Sequence, residues 1–203
     1  MYKGVKRFFD FIIALLGSVI LLPLFAVLIF AIKADSRGPI LFVQRRIGKN
    51  KRHFYILKFR TMRIDTPKDT PTHLLENPEQ YITRVGAFLR KTSLDELPQI
   101  WNILTGDMSI IGPRPALWNQ YDLIDERDKY GANDILPGLT GWAQINGRDE
   151  LLIPDKARLD GEYVNKMSFL FDCKCFIGTV ICIVKHDGVV EGGTGRCAEE
   201  IKQ

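Results

Sequence analysis

Two adjacent carboxylates, Asp95 and Glu96, stand in the segment Ser93-Leu-Asp-Glu-Leu-Pro-Gln99. Arg90 precedes them, and Arg114 follows in Gly106-Asp-Met-Ser-Ile-Ile-Gly-Pro-Arg-Pro115. Pro113 and Pro115 fix the backbone on both sides of Arg114, so little entropy is lost when its guanidinium settles on a phosphate oxygen. Paired carboxylates among arginines can hold a divalent metal on a diphosphate. One of them can also attack phosphorus and form an acyl phosphate. Nearby cations would offset the repulsion between carboxylate and phosphate. The plainer account of the pair is helix capping, in which acids at a helix N-terminus gain about 0.3–1 kcal/mol from the dipole.

The elements around the pair are legible in outline. Ser93 with Glu96 matches a capping box, and Leu97, Ile100, Trp101 and Leu104 follow at helical spacing up to Gly106. Pro98 is tolerated only in the first turn of that helix. Residues 81–91 carry a second helical pattern. Residues 40–48 and 54–62 read as two short strands with the basic turn Lys49–Arg52 between them. Lys58 and Arg60, two apart, share one strand face; this is either a solvated face or a phosphate-facing pair. Asn146-Gly147 marks a sharp turn that would present Arg148. Residues 116–131 and 156–167 read as helices. Residues 107–115 read as a tight connection, residues 137–148 as turn-rich, and residues 64–80 as a polar loop that could act as a lid.

Residues 11–32 form an uncharged apolar run with Pro23 near its middle. No signal-peptide cleavage site follows, so the segment reads as retained. Pro23 breaks a regular helix, and both flanks are basic, which favours both ends on the cytoplasmic side. Two arms, 11–22 and 24–32, would each be roughly 14–18 Å long at 1.5 Å per residue. Each reaches about halfway through a hydrocarbon core of about 30 Å. The expectation is a re-entrant hairpin; a kinked span is the competing form. Residues 168–185 are apolar but marked by Asp172 and Lys174, which suits an interfacial or core helix.

The chain has 203 residues, is 46% hydrophobic and carries a net charge of +4. That fits one domain plus an appendage and an anionic partner. No basic-aromatic signature points to nucleic acid. Cys173, Cys175, Cys182 and Cys197 form no C-x-x-C pair and read as small buried hydrophobes. His53, His73 and His186 lack ligand spacing, which argues against zinc or a histidine-based triad.

Five ordered segments carry a family resemblance. They are Lys6-Arg-Phe-Phe-Asp-Phe11, Lys58-Phe-Arg-Thr-Met62, the acid-pair segment, the Pro-Arg-Pro segment, and Pro137-Gly-Leu-Thr-Gly-Trp-Ala-Gln-Ile-Asn-Gly-Arg148. On these the chain resembles the monotopic phosphoglycosyl transferases, or bacterial sugar transferases, over about residues 3–188. The resemblance implies a mostly helical α/β fold with a small strand element and interfacial amphipathic helices. It implies a re-entrant membrane helix over 1–36, a catalytic domain over 37–188 and a flexible tail over 189–203. The chain is expected to be the family's small, minimal form, placed on the cytoplasmic face of the bacterial inner membrane.

Such enzymes move a phospho-sugar from a UDP-sugar to a polyprenyl phosphate, usually undecaprenyl phosphate, and release UMP. They use Mg²⁺ and a covalent intermediate, and act early in glycoconjugate or polysaccharide assembly. Carried over by motif, Asp95 would be the nucleophile, and Glu96 would assist with metal or proton handling. Arg90, Arg114, Arg148 and Lys58 would hold phosphates, with Arg60, Pro113 and Pro115 in support. Asp160, in Leu159-Asp-Gly-Glu-Tyr163, matches a further family position, as a functional group or as a structural hydrogen bond. UDP-sugar, polyprenyl phosphate and membrane lipid are the expected partners, with a homodimer and downstream glycosyltransferases left open. One departure is local: some members place serine before the helix-breaking proline, whereas Leu22 precedes Pro23 here, and Ser18 is the candidate substitute. Two other classes remain: a membrane-anchored nucleotide-sugar-binding scaffold and a membrane diphosphatase. UMP release and its lipid dependence separate them.

Overall fold

The computed structural model describes residues 2–66, 78–147 and 151–184. Two helices open the chain, α1 (Tyr2–Ile20) and α2 (Leu22–Asp35), and they meet at a bend of 63°. The bend falls at Leu21, two residues before the break at Pro23 drawn from the sequence, because Pro23 sits in the first turn of α2. Proline is well placed there, where its missing N–H would have no helical acceptor. The Ser18 hydroxyl donates to the Ala14 carbonyl at 2.6 Å, one turn back within α1, and so does not substitute for the serine absent before Pro23. Among the described residues no single helix is long and apolar enough to cross a membrane, but α1 and α2 together are.

Neither helix stands apart from the rest. Ala14 of α1 packs with Phe54, Ile56, Ile103 and Met108, while Phe25, Leu28 and Ile32 of α2 pack with Phe59 and Leu89. Their other sides leave Phe8, Ile13, Leu16, Val19, Ile20 and Phe30 exposed.

The hairpin expected from the sequence is present as β1 (Leu41–Ile47) and β2 (His53–Phe59), antiparallel with Phe42 opposite Lys58. Both strands are shorter than the apolar runs that predicted them. Helix α3 (Arg84–Lys91) follows, capped by Thr83, whose hydroxyl accepts from the Gly86 N–H at 3.0 Å. Gly86 is required there: a Cβ would lie 2.0 Å from the Thr61 carbonyl oxygen. After a 3-10 turn at Leu94–Glu96 comes α4 (Gln99–Thr105), closed by Gly106 in the left-handed region.

A parallel pair, β3 (Ser109–Ile111) with β4 (Gly138–Thr140), was not expected; both stretches read as turns. Three residues each are too few to show an alternating pattern. Helix α5 (Tyr121–Asp128) lies between them and is shorter than the predicted 116–131. The last described elements are α6 (Trp142–Ile145), α7 (Ile153–Lys166) and α8 (Phe169–Val184). Tyr163 and Cys175 are buried in the core that α7 and α8 form with Ile111 and Trp142. Burial pushes the Cys175 thiol up to about 12, which keeps it an inert core group. The outer side of α8 exposes Leu170, Phe176 and Ile177.

Among the described residues the fold is therefore mixed, mostly helical, with two small sheets. Arg148, most of the 64–80 loop, His73, His186, Cys197 and the tail from 189 lie outside the described residues.

Candidate active site

The predicted capping box does not form. Ser93 has φ 55°, in the left-handed region, and makes no side-chain cap. The α-helix starts later, at Gln99, and the Glu96 side chain turns the other way, toward cations. The left-handed Ser93 ends the run from α3 and starts the 3-10 turn that carries both acids.

Glu96 is gripped from two elements. Lys58, near the end of β2, donates from Nζ to Oε1 at 2.7 Å. Arg114, after β3, forks onto the carboxylate, with Nη2 to Oε1 at 2.7 Å and Nη1 to Oε2 at 3.5 Å. Asp95 is held more loosely: among the described residues its one ion pair is with Lys58, at 3.9 Å. Both acids are only 13% exposed. Burial pushes the Asp95 carboxyl above its ordinary 3.8, a rise that Lys58 opposes and Glu96 reinforces. Burial also acts on Glu96, but Arg114 and Lys58 outweigh it and hold this carboxyl well below its ordinary value. Burial lowers the Lys58 ammonium, against the pull of Glu96. Neighbouring carboxylates are thus driven apart by environment, one ionised and committed, the other raised and uncommitted.

Arg90, in the last turn of α3, donates from Nε to the Thr61 hydroxyl at 2.9 Å, and its charge is felt at Asp95. The close approach that Gly86 permits is what sets Arg90 beside Thr61. Arg60 goes elsewhere and does not pair with Lys58 at the site. Beyond the end of β2, it donates to the Arg37 carbonyl at 2.6 Å and the Ser36 carbonyl at 2.8 Å, fastening the exit of α2.

Asp160 of α7 lies away from the acid pair and is almost wholly buried against Arg127 of α5, with Nε to Oδ2 at 2.8 Å and Nη2 to Oδ2 at 2.6 Å. Burial raises its carboxyl, opposed by Arg127. Arg127 was missed in the sequence, where it sits in the acidic run Asp125-Glu-Arg-Asp128 and looks solvated. The structure thus brings Lys58, Arg90, Asp95, Glu96 and Arg114 together, and sets Arg60 and Asp160 apart from them.

Among the described residues no group of three or more His, Cys, Asp or Glu side chains could enclose a metal ion. Mg²⁺, however, is commonly held by one or two carboxylates with substrate phosphates and water supplying the rest. Asp95 and Glu96 fit that smaller donor set, provided Glu96 exchanges a cationic partner for the ion.

Comparison with known proteins agrees with the family resemblance. The family described as bacterial sugar transferase matches residues 1–186. The uncharacterized sugar transferase EpsL of Bacillus subtilis is 38% identical over 186 residues, covering 91% of this chain and 89% of that protein. The undecaprenyl-phosphate glucose phosphotransferase of Komagataeibacter xylinus is 40% identical over 185 residues, 86% of this chain but 35% of the enzyme's length. The UDP-glucose:undecaprenyl-phosphate glucose-1-phosphate transferase of Escherichia coli is 39% identical over 183 residues, 86% of this chain and 39% of the enzyme. The chain therefore spans little more than a third of those two enzymes and most of EpsL.

Proposed function

This chain belongs to the bacterial sugar transferase family, and from that premise we propose that it transfers a phospho-sugar from a UDP-sugar to a polyprenyl phosphate, undecaprenyl phosphate in the first instance. The observation that carries the reading is the asymmetry of the acid pair. Glu96 is ionised and saturated with cations, while Asp95 keeps its carboxylate oxygens uncommitted beside them. A group that must attack phosphorus needs an available lone pair and nearby positive charge, and Asp95 has both.

In the first step an Asp95 oxygen forms a bond to the sugar-bearing phosphorus, and the bond from that phosphorus to the UMP oxygen breaks, its electron pair leaving with UMP. In the second, an oxygen of the polyprenyl phosphate bonds to the same phosphorus and the aspartyl oxygen leaves as carboxylate. Glu96 acts as the resident anion that keeps Lys58 and Arg114 in place until substrate phosphates take over those contacts. Arg90 adds charge from the α3 side. Arg148 is proposed as a further phosphate ligand on its motif alone. Mg²⁺ bound by Asp95 or Glu96 would neutralise charge on the diphosphate.

The site is proposed to work at the cytoplasmic face of the bacterial inner membrane, with α1 and α2 re-entrant. The bend, the exposed apolar sides of both helices and the basic flanks support this. The test is UMP release by detergent-solubilised full-length protein with Mg²⁺, over a panel of UDP-sugars, with and without undecaprenyl phosphate. Multiple turnovers that need the lipid and one sugar are expected. Lipid-independent turnover giving free sugar phosphate would replace the reading with a diphosphatase.

A further inference from the structure

Arg114 sits in an irregular segment that cannot hold itself, since Pro113 and Pro115 lack N–H groups. The segment is nevertheless fixed, because four consecutive carbonyls each receive a donor from outside it. The Gly138 N–H of β4 donates to Pro113 O at 2.9 Å, and Arg127 Nη1 of α5 donates to Arg114 O at 2.9 Å. Arg46 Nη1 of β1 donates to Pro115 O at 3.1 Å, and the Ile47 N–H donates to Ala116 O at 2.9 Å. Of these donors only Arg127 reaches the carbonyl of Arg114 itself. It is 3% exposed, and its other two nitrogens are clamped by Asp160, which is 1% exposed.

A buried ion pair is an expensive way to join two helices, since its desolvation can exceed its Coulombic gain. Its chemistry here suits positioning. A planar guanidinium held on one edge by a carboxylate presents its remaining edge at a fixed angle, and that edge meets the main chain of the arginine that holds Glu96.

We infer that Arg127, oriented by Asp160, is a positioning residue that sets the backbone of Arg114 and through it the aim of the guanidinium at the acid pair. This rests on the proposed reaction for its kinetic consequence, but not for its geometry. Arg127→Lys keeps a cation against Asp160 yet cannot serve both partners with a planar fork. In the wild-type background it is expected to lower kcat on the order of 10–100-fold, as small misplacements of reacting groups do, with KM little changed. In an Arg114→Lys background the same change is expected to cost less than about twofold, because residues acting through one another are not additive.

An equal fold-loss in both backgrounds would overturn the inference and leave Arg127 a purely structural residue. A second readout does not depend on turnover: the guanidinium nitrogen resonances of Arg114, assigned with Arg114→Lys. Arg127→Lys is expected to shift them as Arg114 drifts from Glu96, and Asp160→Asn to do the same. Unchanged resonances in folded variants contradict the relay. Were wild-type protein to release no UMP, the proposed reaction would fail while these resonances still decided the relay.

Discussion

Two clusters in this molecule use the same residue types to opposite ends. Where α1 meets the core, Asp172 accepts from the Tyr163 hydroxyl at 2.6 Å, the Tyr2 hydroxyl at 2.6 Å and Lys6 at 2.9 Å. Asp10 beside it accepts from the Ser109 hydroxyl at 2.6 Å, with Lys6 at 3.5 Å. Arg7 donates to the Ile103 and Leu104 carbonyls at the end of α4. There the oxygens of both carboxylates have partners, and the result is a joint that pins α1 to the domain. At the acid pair the cations crowd Glu96 and leave Asp95 with one long contact at 3.9 Å. What separates a fastening from a reactive site is therefore not which groups are present but which lone pairs are already used.

The sharpest way to break that contrast is Asp95→Asn. It should reduce lipid-dependent UMP release by at least about a thousandfold, the scale of losing a nucleophile, while the protein still folds and partitions to membranes. Retained turnover would remove the distinction altogether.

Glu96→Gln and Asp172→Asn make a matched pair. The first should depress kcat strongly, since Lys58 and Arg114 lose the anion that holds them. The second should lower the melting temperature, by the equivalent of about 1–3 kcal/mol for leaving a buried partner poorly satisfied, with activity lost only as far as folding is lost. The reverse pattern would exchange the roles of the two clusters.

The pH dependence sharpens the comparison further. Asp95 must be ionised to attack, so activity should fall as pH drops through its raised ionisation, at a pH above the ordinary 3.8. Glu96 is depressed in the folded state, so its contribution to stability is present above its unfolded value of 4.5 and is lost only as pH falls through its lower folded value. Asp95 has the opposite sign: its raised ionisation favours the fold at low pH and costs stability as pH rises through it. On acidification, activity should therefore disappear before the fold does, as kcat/KM profiles set beside melting curves would reveal. The smallest effect is expected at the exposed pair Lys51–Asp128, where Lys51→Met should leave kcat and melting temperature unchanged.

Much of this was legible in the sequence. Pro23 located the helix break to within a residue or two, and the basic turn at 49–52 located the hairpin, because both signals are local. Lys58, Arg90, Asp95, Glu96 and Arg114 converge as their motifs implied. The capping box misled because S-x-x-E specifies only spacing, whereas the left-handed backbone at Ser93 and the pull of Lys58 and Arg114 come from distant elements. Arg60 misled for a related reason: strand alternation gives a face, and the strand ends at Phe59, one residue before it. Arg127 could not be read at all, since nothing in an acidic helix marks one arginine as buried against a carboxylate 33 positions away.

The central claim, that Asp95 is the uncommitted carboxylate that takes the phospho-sugar, is tested most directly by trapping it. Full-length protein mixed with its UDP-sugar and Mg²⁺ in the absence of lipid should release UMP in a burst of one per active site. It should gain the mass of one phospho-sugar on the peptide containing Asp95, and Asp95→Asn should show neither. A burst with the adduct on another residue, or lipid-dependent turnover with no burst and no adduct, would contradict the account.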